Sequence, residues 1–253
     1  MSSSRPSVAT PSWLRNPSST LGADVMVVVP AYNEVGNVRR VIEETLACHE
    51  RVAILVVDDG SSDGTDAAAA AAGANVLRLP FNCGIGASVQ AGLRVAVDLG
   101  YRIIARIDGD GQHDPAVLPN LLAPLRDGSA DFVIGSRYVT KEGFQSTSVR
   151  RMGIRWFSTL LRVTCGIRVS DPTSGCWAAN ERAAALLVEE YSSDYPEVDA
   201  LVRLARSGFV IRDVPTRMRE RPSGSSSIGR LDGLYYMAKV TIALLITLVR
   251  PKL

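Results

Sequence analysis

The sequence predicts an α/β fold with a mostly parallel central sheet flanked by helices. Short β-branched runs alternate with segments of helical period, and these runs stop at polar clusters. The 253 residues are 46% hydrophobic, enough for one sizeable core.

Val25–Val29 is a buried-strand signature that stops at Pro30. Over 35–48, Val38, Val41, Ile42 and Leu46 share one helical face. Ala53–Val57 repeats the strand pattern and stops at Asp58-Asp59-Gly60. Alanine dominates 65–72, favouring helix, and Gly73 fits its end. A strand at 75–79, a loop at 80–86 and a helix at 87–99 follow. The next strand, 101–107, runs into Asp108-Gly109-Asp110, and a helix at 115–125 and a strand at 132–134 come after it. Beyond these, helices are expected at 150–164, 180–190 and 197–207, and a strand at 209–214. In parallel sheets ligands bind beyond the carboxyl ends of the strands. The clusters 30–34, 58–63 and 108–110 all fall there, so separate segments converge on one sheet edge.

A net charge of +2 gives no global case for nucleic-acid binding. Cys48, Cys83, Cys165 and Cys176 form no C-x-x-C pair and there are two histidines, which argues against a structural zinc site and for a reducing compartment. Residues 1–22, rich in Ser and Pro, read as a disordered tail without a secretory signal, and 23–228 as the main domain. The segment 229–253 contains the ten-residue apolar run Val240–Val249, short of the roughly 20 residues that span a bilayer. Leu234, Met237, Ile242 and Leu245 are expected on one apolar face, and both a membrane-interfacial and a core or dimerising helix fit it.

Asp108 and Asp110 flank one glycine at a strand end, where two carboxylates approaching one point need a cation or proton between them. Oxygen ligands suit Mg²⁺ or Mn²⁺. Asp-Gly turns are common, so spacing alone leaves a solvated acidic turn equally open. Of Asp58 and Asp59 only one is expected to enter the site, since neighbouring strand residues face opposite ways; a turn or cap role is the alternative. Gly84-Ile85-Gly86 resembles a phosphate-cradling turn, but Val89 breaks the full dinucleotide pattern and no phosphate-loop motif occurs. His113 is read as packing nearby rather than as a ligand. Arg137 can meet a phosphate or form a surface ion pair. Arg217, Arg219 and Arg221 read as a basic flap or a solvated run.

Together Val27–Glu34, Val56–Thr65, Asn82–Gly86, Asp108–His113, Gly135–Tyr138 and Ser170–Gly175 resemble the family-2 glycosyltransferases of GT-A fold, closest to the polyprenyl-phosphate mannosyltransferase-like branch. The resemblance implies a nucleotide-sugar donor, GDP- or UDP-linked, and a lipid-phosphate acceptor. It implies that Pro30, Tyr32, Glu34, Val57, Asp58 and Asp59, with Asp108 and Gly109, line the nucleotide site. Asp108, Asp110 and Gln112 would hold the metal, and Arg137, Arg221 and Ser227 would lie at the donor or acceptor phosphate. Ser227 stands where the related branch often has lysine. Asp171 is the expected catalytic base for a hydroxyl acceptor, with Glu197 and Asp199 behind it, and Asp110 is the expected catalytic metal ligand. The implied location is cytoplasmic, at the inner face of the membrane, with homo-oligomerisation open. A sugar nucleotidyltransferase would want a Gly-rich, basic loop where Ala31-Tyr-Asn-Glu34 stands; a non-catalytic nucleotide-sugar-binding protein is the other alternative.

Overall fold

The computed structural model describes residues 23–48, 51–140, 148–192, 196–219 and 230–249. Within them, seven strands form one sheet: β1 (Val25–Ala31), β2 (Val52–Asp58), β3 (Asn75–Arg78), β4 (Ile103–Arg106), β5 (Phe132–Ser136), β6 (Trp177–Asn180) and β7 (Ile211–Pro215). Their order across the sheet is β3-β2-β1-β4-β6-β5-β7. β1, β2, β3 and β4 are parallel; β6 lies antiparallel between β4 and β5. β6 has no counterpart in the sequence reading.

All seven residues of β1 are buried because both sheet faces are covered. Met26 and Val28 face one core cluster, which also takes Leu55, Val57 and Ile104. Val25, Val27 and Val29 face the other, with Ile54, Val56, Ile103 and Ala105. This two-residue alternation assigns each strand-end side chain to a layer. Removing one such aliphatic side chain from water contributes roughly 1.5–3 kcal/mol.

The helices are α1 (Val38–Leu46), α2 (Thr65–Ala71), α3 (Ile85–Asp98), α4 (Leu118–Arg126, preceded by a 3-10 turn at Pro115–Val117), α5 (Ser148–Cys165), α6 (Glu181–Glu190), α7 (Pro196–Arg206) and α8 (Arg230–Val249). α3 lies close on the sheet at Gly92, where a Cβ would collide with Val28. α8 packs on α5 and α7 and sends Val240 and Leu244 into the core. Met237 is partly buried against the same core, whereas Ile242 and Leu245 are exposed. Met237 therefore does not share one face with the exposed pair, since at about 100° per residue positions five apart diverge by roughly 140°; the Leu234 side chain, expected on that face too, lies outside the described residues.

Candidate active site

The carboxyl ends of β1, β2 and β4 lie side by side, with Ala31 opposite Asp58 and Val28 opposite Arg106. The chain leaving β4 stays against β1: Ile107 N donates to Val28 O and Gly109 N to Pro30 O. A Cβ on Gly109 would stand 3.0 Å from Pro30 O and 3.1 Å from the Ala31 Cβ. The Asp108-Gly109-Asp110 turn thus abuts segment 30–31, with 58–59 on the other side of β1.

The loop after β1 is fastened to the loop after β2. Asn33, with φ of 55°, receives Ser62 N on Oδ1 and donates its own N–H to Ser61 Oγ. Asparagine tolerates this left-handed conformation better than most residues. Glu34 N donates to Thr65 Oγ1 and Val35 N to Asp63 Oδ2. Tyr32 remains exposed beside this staple, and Glu34 accepts from Asn37 Nδ2 at 2.8 Å.

The two neighbouring aspartates differ as the alternation requires. Asp59 uses both oxygens on the loop before α3, accepting from Cys83 N at 2.7 Å and Gly84 N at 2.9 Å. Asp58 is fully buried: Oδ1 accepts from Ser61 N, and Oδ2 lies 3.5 Å from Arg78 Nε, with no hydrogen bond among the described residues. The Val57 side chain enters the core beneath α3, 3.1 Å from where a Gly92 Cβ would stand.

Asp108 is partly exposed, with 26% of its side chain accessible. Its Oδ1 accepts from Arg106 Nε at 3.1 Å and Nη2 at 2.9 Å. Its Oδ2 faces Gly175, where a Cβ would overlap it. Burial alone would raise the Asp108 carboxyl, but Arg106, then His113 and Arg137, hold it below its ordinary range. Asp110 Oδ1 accepts from Gln112 N at 3.0 Å, which shapes the turn. Gln112 O accepts from Arg219 N, and His113 pairs with Met218, so the segment 217–219 borders the acidic turn. Arg219 itself bonds Glu44 and Asp114. His113 is 4% exposed, its Nε2 3.8 Å from Asp108 Oδ2 and its Nδ1 without a hydrogen-bond partner among the described residues. Burial lowers its imidazole despite the pull of Asp108.

Arg137 does not lie at the surface. It is 1% exposed, and it donates from Nε to Asp171 Oδ2 at 2.5 Å and from Nη2 to Asp171 Oδ1 at 2.7 Å. Asp171 is wholly buried and also accepts from Thr173 Oγ1. The loop carrying it is held from behind: Asp213 Oδ2 accepts from Ser170 N and Oγ, and Ser170 Oγ contacts Ser136 Oγ at 2.6 Å. The structure thus brings Asp108, Asp110, Gln112, Arg137 and Asp171 to one edge. Arg221 and Ser227 lie outside the described residues. Sequence reasoning missed Arg106; a second arginine in a largely apolar strand, two residues before the acidic turn, was the available signal.

Glycosyl transferase family 2 matches residues 26–186, well over half of the chain. The chain belongs to that family. This glycosyltransferase is 33% identical to the undecaprenyl-phosphate mannosyltransferase of Micrococcus luteus, over 81% of this chain and 87% of the relative. It is 31% identical to the polyprenol monophosphomannose synthase of Mycolicibacterium smegmatis, over 80% of each. Among solved structures it resembles glucosyl-3-phosphoglycerate synthase from Mycobacterium tuberculosis in complex with Mn²⁺, UDP-glucose and phosphoglyceric acid. That match has a TM-score of 0.68 and 26% identity, and covers 92% of this chain and 82% of the other. The mostly parallel, helix-flanked sheet is that of GT-A glycosyltransferases.

The residues present fit a divalent cation of the Mg²⁺ or Mn²⁺ type. The donors are hard oxygens, and the absence of Cβ at Gly175 leaves room for Asp108 Oδ2. Among the described residues no group of three or more His, Cys, Asp or Glu could complete a cage.

Proposed function

We propose that the protein transfers a sugar from a nucleoside-diphosphate sugar to a polyprenyl phosphate, with inversion at the anomeric carbon. The observation that carries this reading is the packing of the Asp108-Gly109-Asp110 turn against Pro30-Ala31, beside the Asp58-Asp59 end of β2. The nucleoside would lie over Pro30, Tyr32, Glu34 and the Asp58-Asp59 turn, and the diphosphate at Asp108 and Gly109. Asp110, Asp108 and the Gln112 amide oxygen would hold Mg²⁺ or Mn²⁺. When bound, the ion neutralises charge growing on the departing diphosphate.

The fate of Asp171 favours a phosphate acceptor over a hydroxyl. A hydroxyl acceptor needs a base, and both Asp171 oxygens are engaged by Arg137. A phosphate oxygen is already anionic and attacks without losing a proton. The two relatives named for polyprenyl or undecaprenyl phosphate support the same acceptor. In this reading Arg137 and Asp171 together order the acceptor loop.

No helix among the described residues is long and apolar enough to cross a membrane. A lipid acceptor can instead be met at the surface of the bilayer's inner leaflet. Met152 and Trp156 of α5 and Ile242, Leu245 and Ile246 of α8 are exposed. Trp156 Nε1 donates to Thr241 Oγ1, which joins the two helices. Arg155, next to Trp156, is exposed too and suits anionic headgroups.

The test combines thermal shift with UDP and GDP, each with and without Mn²⁺, and sugar transfer from the matching donors to a short-chain polyprenyl phosphate. Wild type is expected to be stabilised by one nucleotide only with the metal and to form sugar-phosphate-lipid, and Asp110→Ala to lose both while staying folded. Metal-independent transfer, or full activity in Asp110→Ala, contradicts the reading.

A further inference from the structure

We infer that Arg106 is a positioning residue that pins Asp108 through one oxygen and is itself held by Glu197, so that only Asp108 Oδ2 is presented to the metal and the donor. The inference rests on the proposed metal site and assigns residues behind it.

Arg106 ends β4 and follows Ile104 on the sheet face covered by α6 and α7. It is among the largest wholly buried side chains. A buried guanidinium is stable only if paired. Two of its nitrogens converge on Asp108 Oδ1, while Nη1 donates to Glu197 Oε1 at 2.9 Å and to the Tyr191 hydroxyl at 3.4 Å. Burial opposes its charge, but Asp108, Tyr191 and Glu197 overcome this and raise it well above the ordinary arginine value.

Two consequences follow from the chemistry. A carboxylate with one oxygen taken by two N–H groups cannot chelate through both, so Asp108 acts with its second oxygen alone. One guanidinium shared between two carboxylates also leaves the trio with a net negative charge, which favours a cation at the turn. Without Glu197, Arg106 would act on Asp108 alone and cancel that charge. Outer partners of metal ligands commonly act this way, and their loss weakens metal affinity or activity roughly 10–100-fold.

The test titrates Mn²⁺ in the presence of UDP and of GDP, by calorimetry, against wild type, Arg106→Lys, Arg106→Met and Glu197→Gln. Glu197 is partly exposed, with 18% of its side chain accessible, so Glu197→Gln serves if Arg106→Met does not fold. Glu197→Gln is expected to weaken metal-dependent nucleotide binding about tenfold, the lower end of that range, with its ligand-free melting temperature kept near wild type. Arg106→Met is expected to lose more, and Arg106→Lys to recover part of that loss by keeping the charge without the fork. In transfer assays KM for the donor should rise while KM for the acceptor stays constant. Unchanged metal affinity in both Glu197→Gln and Arg106→Lys overturns the role of Arg106 and leaves the proposed function standing. Absence of metal-dependent nucleotide binding in wild type overturns both.

Discussion

Arg137 grips both carboxylate oxygens of Asp171 inside the protein, at 2.5 and 2.7 Å, with Asp171 wholly shielded from solvent. Removing one partner strands the other's charge, at about 3–5 kcal/mol. Asp171→Ala and Arg137→Met are each expected to fall by that order in urea unfolding. The double variant should lose clearly less than the sum. Additive losses would show that the pair is not coupled. Asp171→Ala is expected to lose activity in step with the acceptor loop, without the pH-dependent rate signature of a missing base.

Gly175 leaves the space that Asp108 Oδ2 occupies. Arg106 holds the other oxygen, so the carboxylate cannot swing clear of an added methyl. Gly175→Ala is expected to cost about 1–3 kcal/mol of stability, the usual range for overpacking. Metal-dependent nucleotide binding should fall at least tenfold, the lower end for a disturbed metal ligand. Calorimetry on the folded variant checks this, and wild-type affinity would mean that Asp108 does not act through Oδ2.

Asp213 offers a pH prediction. Burial raises its carboxyl, against the two bonds from Ser170, and its Oδ1 has no hydrogen-bond partner among the described residues. A group whose native pKa lies above its unfolded value stabilises the fold below the unfolded pKa, and that contribution is lost as pH rises through the native one. Asparagine does not titrate. The melting temperature of Asp213→Asn minus that of wild type should therefore climb as pH rises from about 4 to 8, across and above the ordinary carboxyl range. A flat difference would place Asp213 outside this linkage.

The exposed patch of α5 and α8 predicts binding to anionic vesicles. Exchanging Trp156 and Ile242 for glutamate removes two apolar side chains, each contributing roughly 1.5–3 kcal/mol if buried in lipid. Flotation of the double variant should drop at least tenfold, since about 1.4 kcal/mol is a factor of ten. Equal flotation of variant and wild type removes this surface from the reading.

Much of the donor half was legible in the sequence. The β-branched runs of β1 and β2 announce buried parallel strands, and their polar ends announce the crevice. The acidic turn was readable because 108–110 follow a strand directly. β6 was not, because Trp177–Asn180 is four residues long and pairs with strands distant in sequence. Arg137 read as a phosphate contact or a surface charge because its partner, Asp171, is 34 residues away. Val57 was expected at the nucleotide through the resemblance of its motif, and alternation turns its side chain into the core. The role of Arg106 needed the third dimension: Tyr191 and Glu197 meet it only once α6 and α7 fold over the sheet.

The antiparallel placement of β6 has a consequence on the ribosome. β4 ends at Arg106, and the strand that covers its free edge begins at Trp177, so 70 residues separate them. At roughly 5–20 residues per second, that edge is left without its partner for about 4–14 s of translation. Over the same interval Arg106 is made but Glu197 is not, leaving the nascent chain with a bare strand rim and a cation still lacking one of its counter-ions. Slow synthesis across 107–176 should therefore increase chaperone dependence more than an equal delay placed after residue 206.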